Sequence, residues 1–153
     1  MSPKRKTLVS DARAALAQCA GVNVRLAERR ITHFLEQHMR DADLSLAQFG
    51  LLAHIAAARD DTITALAARV GLDQSTLSRN LRGLEEAGLV EIVAAETDLR
   101  RRAVWLTEAG ARRLEGAMAS WRAAHAALSG LMDGALARRL AAETEALASG
   151  APA

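Results

Sequence analysis

The sequence predicts a mainly α-helical protein that carries one small β-hairpin. Its 153 residues include 35 alanines but only two prolines and no tyrosine, and 3% of the residues are aromatic. Alanine is the strongest helix former, whereas strands favour aromatic and β-branched residues, so this composition argues against an all-β sandwich or barrel. The two strand candidates are residues 89–93 and 103–106, and the polar segment between them, residues 94–102, ends in three arginines.

Composition and charge limit the classes of function. Half of the residues are hydrophobic and 25% are charged, which predicts a folded core. The net charge of +2 does not by itself indicate a nucleic-acid partner. No apolar run is long enough to cross a membrane, and the basic start is not followed by the apolar stretch of a signal peptide. We therefore expect a cytoplasmic protein with no membrane partner.

Three regions follow one another along the chain. Residues 1–40 are a short basic arm and a long dimerisation helix, residues 45–106 are a compact domain, and residues 107–150 are C-terminal dimerisation helices, the last over 131–147. In the first and last regions, apolar residues recur at spacings of three and four. One small domain cannot cover apolar stripes of that length, so we expect the terminal helices to pair with a second copy in a homodimer.

The middle region contains short helices with clear start signals. Ser45 and Gln48 have the spacing of a capping box. Thr62 and Asp73 are suited to cap the two helices that follow, and Gly71 can supply the left-handed turn between them. These two helices, residues 63–70 and 74–87, followed by the hairpin, have the order of a winged helix-turn-helix.

The second helix of this motif has two chemically different sides. Leu77, Leu81 and Leu84 share one side. The opposite side presents polar and basic side chains, namely Gln74, Ser75, Ser78, Arg79 and Arg82. Arginine can pair with guanine edges, glutamine can pair with adenine, and hydroxyls can hold phosphate, so this side is suited to the major groove of DNA.

The hairpin adds a second basic element. Arg100, Arg101 and Arg102 are expected to cluster in the loop at its tip, where a long side chain can enter a narrow minor groove. The pattern therefore predicts double-stranded DNA as the partner. Its alternative is a winged domain that contacts another protein instead of DNA.

The end of the motif carries a distinctive spacing, with Asp98 and Arg100 followed by Leu106, Thr107 and Gly110. This spacing fits a wing signature, through which residues 62–110 resemble the MarR (multiple antibiotic resistance regulator) family of bacterial transcription factors. The resemblance extends over nearly the whole chain, including the long first and last helices. It implies a homodimeric repressor that binds a palindromic operator and is released by a small ligand or an oxidant.

The resemblance also assigns roles to residues. It implies that Arg100 enters the minor groove and that Asp98 orients an arginine at the wing. The residues that match the DNA-reading helix of the family are Ser75, Thr76, Ser78, Arg79 and Arg82. Ser75, Ser78, Arg79 and Arg82 are thus indicated both by their chemistry and by the resemblance.

The family often binds small aromatic anions between the dimer helices and the winged domain. By position, the candidate lining residues for a small aromatic or anionic effector are His33, Phe34, His38, Phe49 and His54. The histidines could also suggest a metal sensor, but His33 and His38 are five residues apart, which is poor for shared ligation on a helix. We expect no metal and no cofactor.

Cys19 is the only cysteine, which excludes an intramolecular disulfide and a cysteine-rich zinc site. It lies on the apolar stripe of the first helix, where the simpler interpretation is a small buried side chain. The alternative is a redox sensor, because one branch of the family senses peroxides through a cysteine in this helix. The sequence lacks the tyrosines of that branch. It also lacks a phosphate-binding glycine loop and a nucleophile elbow, so we expect no enzymatic activity.

Overall fold

The computed structural model describes residues 3–58, 62–95 and 98–148, and within these ranges all side chains except those of residues 3–6, 95 and 98–101. The helices and strands, in chain order, are α1 (Pro3–Gln18), α2 (Ala20–His38), the 3₁₀ helix Arg40–Ala42, α3 (Leu46–Ala57), α4 (Ile63–Val70), α5 (Gln74–Glu86), β1 (Val90–Ala95), β2 (Asp98–Leu106), α6 (Glu108–Ser129), α7 (Leu136–Glu143) and α8 (Glu145–Ala148). The predicted fold class, helical with a two-stranded antiparallel hairpin, is confirmed.

One hydrophobic core joins the middle region to the end of α2 and to α6. Its fully buried leucines come from three consecutive helices: Leu52 of α3, Leu66 of α4, and Leu77 and Leu81 of α5. Val90 and Val104 close this core from the hairpin, and Leu114 and Ala117 close it from α6. The core therefore fixes α5 and the hairpin in one unit, because both bury apolar side chains in it.

The predicted cap residues start the helices as expected. The Ser45 hydroxyl accepts from the Gln48 backbone, and the Gln48 side chain accepts from the Ser45 backbone, which completes the capping box. Thr62 accepts from the Ala65 N–H at the start of α4. At the junction of α4 and α5, Gly71 adopts a φ of 67°, as the predicted left-handed turn requires.

The first helix differs from its prediction. The sequence predicts a short basic arm and then one long helix within residues 1–40, but helical structure begins at Pro3 and is interrupted at Cys19, whose ψ of 107° is extended. The Asn23 side-chain amide donates to the carbonyls of Cys19 and Ala17 at 2.9 and 3.2 Å, so it bonds to backbone on both sides of the break. Asn23 was the sequence signal for this interruption, because asparagine side chains compete for backbone bonds.

The last helix also differs from its prediction. Instead of one helix over residues 131–147, the chain turns at residues 131–135 and forms the two short helices α7 and α8. The Asp133 carboxylate accepts from the Ala135 N–H at 2.9 Å and pairs with Arg139 at 2.9 Å. These bonds hold the turn, so α7 begins only at Leu136. Thr144, whose hydroxyl donates back to the Leu140 carbonyl, separates α7 from α8.

The hairpin strands are longer than predicted. The ladder runs from Val90 paired with Leu106 to Ala94 paired with Arg102, and Ala95 is next paired with Asp98. Residues 99–101 thus lie in an irregular part of β2, and the prediction that all three arginines belong to a loop was wrong. Residues 94 and 95 are alanines, and neither is one of the glycine, proline, asparagine or aspartate residues that favour a turn, so nothing there ends the pairing at residue 93.

The terminal helices leave their apolar side chains exposed in the single chain. The large apolar residues exposed on α1, α2 and the last helices are Leu8, Val9, Leu16, Val22, Val24, Leu26, Leu136, Leu140 and Leu147. Leu8 is 67% exposed and Leu147 is 79% exposed. Within the described ranges, no helix has both the length and the apolar character that a membrane crossing needs.

Candidate nucleic-acid interface

Helix α5 is anchored by its apolar side and starts from a strong cap. Leu77, Leu81 and Leu84 are buried in the core. Asp73 accepts from the Thr76 N–H at 2.9 Å and from the hydroxyls of Ser75 and Thr76 at 2.7 Å each. These bonds, first that from the Ser75 hydroxyl and then those from Thr76, hold the pKa of Asp73 well below its usual range.

The opposite side of α5 is exposed, as the sequence predicts. Gln74, Ser75, Ser78, Arg79 and Arg82 all lie at the surface. Two of the predicted DNA-binding hydroxyls, those of Ser75 and Thr76, donate to Asp73, and Thr76 is half-buried. The Gln74 side chain donates to the Thr64 hydroxyl of α4 at 3.4 Å. The helix start is thus held by its own polar side chains, whereas Ser78, Arg79 and Arg82 lie farther along.

Asn80 of α5 is a further polar residue of this surface that was not among the predicted site residues. This side chain is exposed next to Arg79, and both line a groove of about 330 Å³ between α5 and the start of α3, where Ser45 and Gln48 lie. An asparagine amide can pair with an adenine edge or with phosphate. Its signal was its position one residue after Arg79 and away from the leucine side of the helix.

The wing brings a further arginine to the same surface. Arg102 of β2 is exposed and lines a cavity of about 400 Å³ together with Ser78 and Arg82 of α5. The structure therefore joins the basic side of the helix to the wing through Arg102. The side chains of Asp98, Arg100 and Arg101 lie outside the described part of the chain, although their backbone belongs to β2.

The root of the wing is held by the last residues of the motif that resembles the MarR signature. The Thr107 hydroxyl donates to the Gly88 carbonyl at 2.7 Å and accepts from the Gly110 N–H at 3.0 Å. Gly88, with a φ of 71°, ends α5, and Leu89 follows it. A Cβ on Gly110 would overlap the Leu89 carbonyl oxygen, so only glycine allows α6 to approach this closely.

Comparison with known proteins identifies the family. The sequence pattern of the MarR family matches residues 42–101, which include α3 to α5 and most of the hairpin. The M. tuberculosis transcriptional regulator MosR is 30% identical, and the match covers 90% of this chain and 100% of MosR with a TM-score of 0.74. The chain belongs to the MarR family. It is thus a member of a family of DNA-binding transcriptional regulators, as the sequence predicts.

Two further structures resemble this MarR-family chain. MosR from M. tuberculosis in complex with DNA is 29% identical, with a TM-score of 0.78 and a match over 88% of this chain and 100% of that one. The apo form of wild-type MarR from E. coli is 25% identical, with a TM-score of 0.64 over 87% of this chain and 97% of that one. No sequence among curated proteins matches.

Three of the five predicted effector residues of this MarR-family chain take part in aromatic contacts. The rings of Phe34 and His38 on α2 lie 4.2 Å apart, and a ring nitrogen of His38 is 2.8 Å from the Phe34 carbonyl oxygen. Phe49 is buried and stacks on Trp121 of α6, with 5.8 Å between ring centroids. His33 and His54 are exposed. Phe49 thus belongs to the core, where it supports Trp121.

Cys19 of this MarR-family chain is exposed in the single chain and lies at the break between α1 and α2. The simpler interpretation, a small side chain buried on the apolar stripe of a dimerisation helix, stays a prediction, because it concerns the face that a second copy is expected to cover. The described residues include no group of three or more histidine, cysteine or acidic side chains placed to hold a metal ion.

Proposed function

We propose that two copies of this MarR-family chain form a repressor that binds a palindromic DNA operator. In each copy, α5 enters a major groove and the wing reaches the neighbouring minor groove. The dimer sets the separation of the two α5 helices, which must enter successive major grooves about 34 Å apart.

The observation that carries this proposal is the two-sided character of α5. Its leucine side is buried in the core, so the side with Ser78, Arg79 and Arg82 must face outward. Arg102 of the wing lies at the same cavity as Arg82, so one surface carries cations from both elements. Similarity to MosR in its DNA complex supports DNA, not a protein, as the occupant of this surface.

Within that surface we assign roles by chemistry. Arg79 and Arg82 read base edges or bind phosphate, and Ser78 binds phosphate through its hydroxyl. Gln74, Ser75 and Thr76, at the start of α5, contact the DNA backbone, and the N–H groups of the first helical turn also face the DNA phosphates. On the wing, Arg100 enters the minor groove, Asp98 orients an arginine, and Arg101 contacts phosphate.

The dimer part of the proposal rests on the uncovered apolar faces of α1, α2, α7 and α8. These helices expose many leucine and valine side chains that the single chain does not cover. Apolar surfaces of this extent are characteristic of subunit interfaces. A second copy would cover them with the same residues, as a two-fold interface requires.

We further propose that a small ligand or an oxidant releases the DNA. A ligand that prefers one separation of the α5 helices shifts the dimer toward it. The candidates for contact with an aromatic or anionic effector are first Phe34 and His38. His33, His54 and Phe49 are the other candidates. Cys19 is the oxidant candidate, because this residue is exposed in the single chain at the break between α1 and α2. Peroxide treatment of the DNA complex tests it: Cys19→Ser should bind DNA as the parent does but should lose the response.

A salt titration with a matched pair of variants tests the DNA interface. Arg79→Ala removes an exposed arginine from α5, and Arg138→Ala removes an exposed arginine from α7. We expect Arg79→Ala to weaken operator binding about tenfold or more, since a good arginine–base contact is worth about 1–3 kcal/mol. Arg138→Ala should bind as the parent does. For the parent, the logarithm of the DNA-binding affinity should fall as the logarithm of the salt concentration rises, with a slope of about 0.9 per phosphate contacted.

Equal DNA binding by the two variants would exclude α5 from the DNA interface. If the parent does not bind double-stranded genomic fragments at low salt, the winged domain binds another kind of partner. As a regulator of transcription, the chain is proposed to act without catalysis and in the compartment that holds the chromosome, the bacterial cytoplasm.

A further inference from the structure

An acidic residue near the end of the DNA-reading helix contacts the backbone of the wing. The Glu85 carboxylate of α5 accepts from the Ile92 N–H of β1, with 3.3 Å between Oε1 and the nitrogen. Glu85 is exposed, and the six residues between it and Ile92 include the turn at Gly88. The contact thus joins the last turn of the helix to the middle of the strand.

The phase of the ladder explains why Ile92 needs a partner outside the hairpin. Paired residues alternate between those that exchange backbone bonds and those that do not. The Thr107 N–H donates to the Leu89 carbonyl at 3.2 Å, which puts Leu89, Glu91 and Val93 in the bonded class. Ile92 belongs to the other class, so its N–H points away from β2, toward α5.

The opposite edge of the hairpin is held by the other helix of the motif. Ala103 of β2 forms a bridge with Thr62, the cap residue of α4. The two helices of the helix-turn-helix thus hold the two edges of the wing: α4 through Thr62 on β2, and α5 through Glu85 on β1.

The Glu85–Ile92 bond lies among the cations of the proposed interface. Glu85 and Ile92 line the same cavity as Arg82 of α5 and Arg102 of β2. A carboxylate there repels DNA phosphates, so its charge does not favour binding. Any contribution of Glu85 to DNA binding would therefore come from the position in which it holds the wing.

We propose that Glu85 is a positioning residue that sets the angle of the wing relative to α5. With this tether in place, the wing reaches the minor groove while α5 occupies the major groove. Without it, α5 still binds in the major groove, but the wing is no longer aligned with the minor groove. This inference rests on the proposed function, because it concerns the same DNA surface.

Three variants of the full-length protein test the tether. Glu85→Gln keeps the length and an oxygen acceptor, Glu85→Asp keeps the charge but shortens the reach, and Glu85→Met keeps the length without an oxygen acceptor. Glu86→Met, at the exposed neighbouring position, removes the same charge and is the matched control. Glu85→Asp keeps the test decisive if Glu85→Met does not fold.

The first measurement is amide hydrogen exchange at Ile92 in the free protein. Glu85→Met and Glu85→Asp should accelerate it about fivefold, the change expected for one hydrogen bond of typical net strength. Glu85→Gln and Glu86→Met should exchange as the parent does. Unchanged exchange in both Glu85→Met and Glu85→Asp would overturn the tether, whether or not the protein binds DNA.

The second measurement is a hydroxyl-radical footprint of the operator with a salt titration. Glu85→Met and Glu85→Asp should lose minor-groove protection and keep major-groove binding. Their salt slope should fall by about 0.9 for each phosphate that the wing no longer reaches. Glu85→Gln should keep the parent footprint. Parent-like protection in both impaired variants would refute the positioning role, whereas a parent without any footprint would refute the proposed function instead.

Discussion

The junction between the wing and α6 depends on a position that has no side chain. Gly110 lies in the first turn of α6, directly against the backbone of Leu89, and Thr107 bonds to both Gly88 and Gly110. A methyl group there would force α6 away from the end of α5. The spacing of Thr107 and Gly110, known from the family resemblance, thus has a steric cause that only the structure reveals.

Gly110→Ala should therefore destabilise the protein. We expect a loss of about 2–3 kcal/mol, typical of overpacking against atoms that cannot move freely. Gly116→Ala is the control, because nothing lies within 4 Å of a Cβ built at that position of the same helix. It should stabilise the protein by up to about 1 kcal/mol, since alanine is the better helix former. Urea unfolding measures both, and similar losses in the two variants would contradict the steric explanation.

Asp73 predicts a pH dependence at the start of α5. Hydrogen bonds from Ser75 and Thr76 lower its pKa in the folded protein. A carboxyl group with a lowered folded pKa stabilises the fold at pH values above its unfolded pKa, about 3.9, and loses this effect as pH falls through the folded pKa. The contribution should therefore be constant at neutral pH and disappear only in acid.

The measurement is the melting temperature of the parent and of Asp73→Ala from pH 7 to pH 2. The gap between them should stay constant down to about pH 5 and narrow below about pH 4, where unfolded aspartate becomes protonated. Ser45→Ala removes a cap hydroxyl that does not titrate in this range, so its gap to the parent should show no such narrowing. A constant gap for Asp73→Ala throughout would show that its carboxylate does not stabilise α5.

Among the elements, α5 shows most clearly how one helix serves both stability and binding. Leu77, Leu81 and Leu84 hold it in the core, while the residues between them remain exposed. Substitutions on the two sides should accordingly separate folding from DNA binding.

Leu81→Ala tests the buried side. Because Leu81 is fully buried, we expect a loss of about 2–5 kcal/mol in the free energy of unfolding. Asn80→Ala, one residue away on the exposed surface, should change stability by no more than about 0.5 kcal/mol. Thermal and urea unfolding provide the comparison. Equal stability of the two variants would mean that α5 is not anchored through its leucine side.

The elements that the sequence predicted well share one property: their signals are local. The capping box of Ser45 and Gln48 and the positive φ of Gly71 depend on residues close in sequence. The interruption at Cys19 was not predicted because the apolar periodicity continues through it. The late start of α7 was not predicted because it depends on Asp133, which accepts from the Ala135 N–H in the turn before the helix.

For the whole molecule, the uncovered faces of the terminal helices decide the expected assembly. Leu136 and Leu140 of α7 are exposed at spacing four and so share one side of the helix. Placing charge there should prevent burial against a second copy, because an unpaired buried carboxylate is strongly unfavourable.

The double variant Leu136→Glu, Leu140→Glu should therefore be monomeric. Light scattering should give a mass near 16.3 kDa, against twice that value for the parent. Leu72→Glu places the same charge on an exposed leucine in the turn before α5 and should leave the dimer intact. A dimeric double variant would exclude α7 from the interface.

The sequence by itself determined the helical class, the winged motif and the exposed side of α5, because periodicity and cap residues act within a few positions. Tertiary structure alone decided what those segments do to one another. It joined Arg102 to Arg82 in one cavity, brought Gly110 against Leu89, and buried Phe49 against Trp121. Such contacts join residues distant along the chain, so they depend on how the packed core orients whole elements, which no local pattern records.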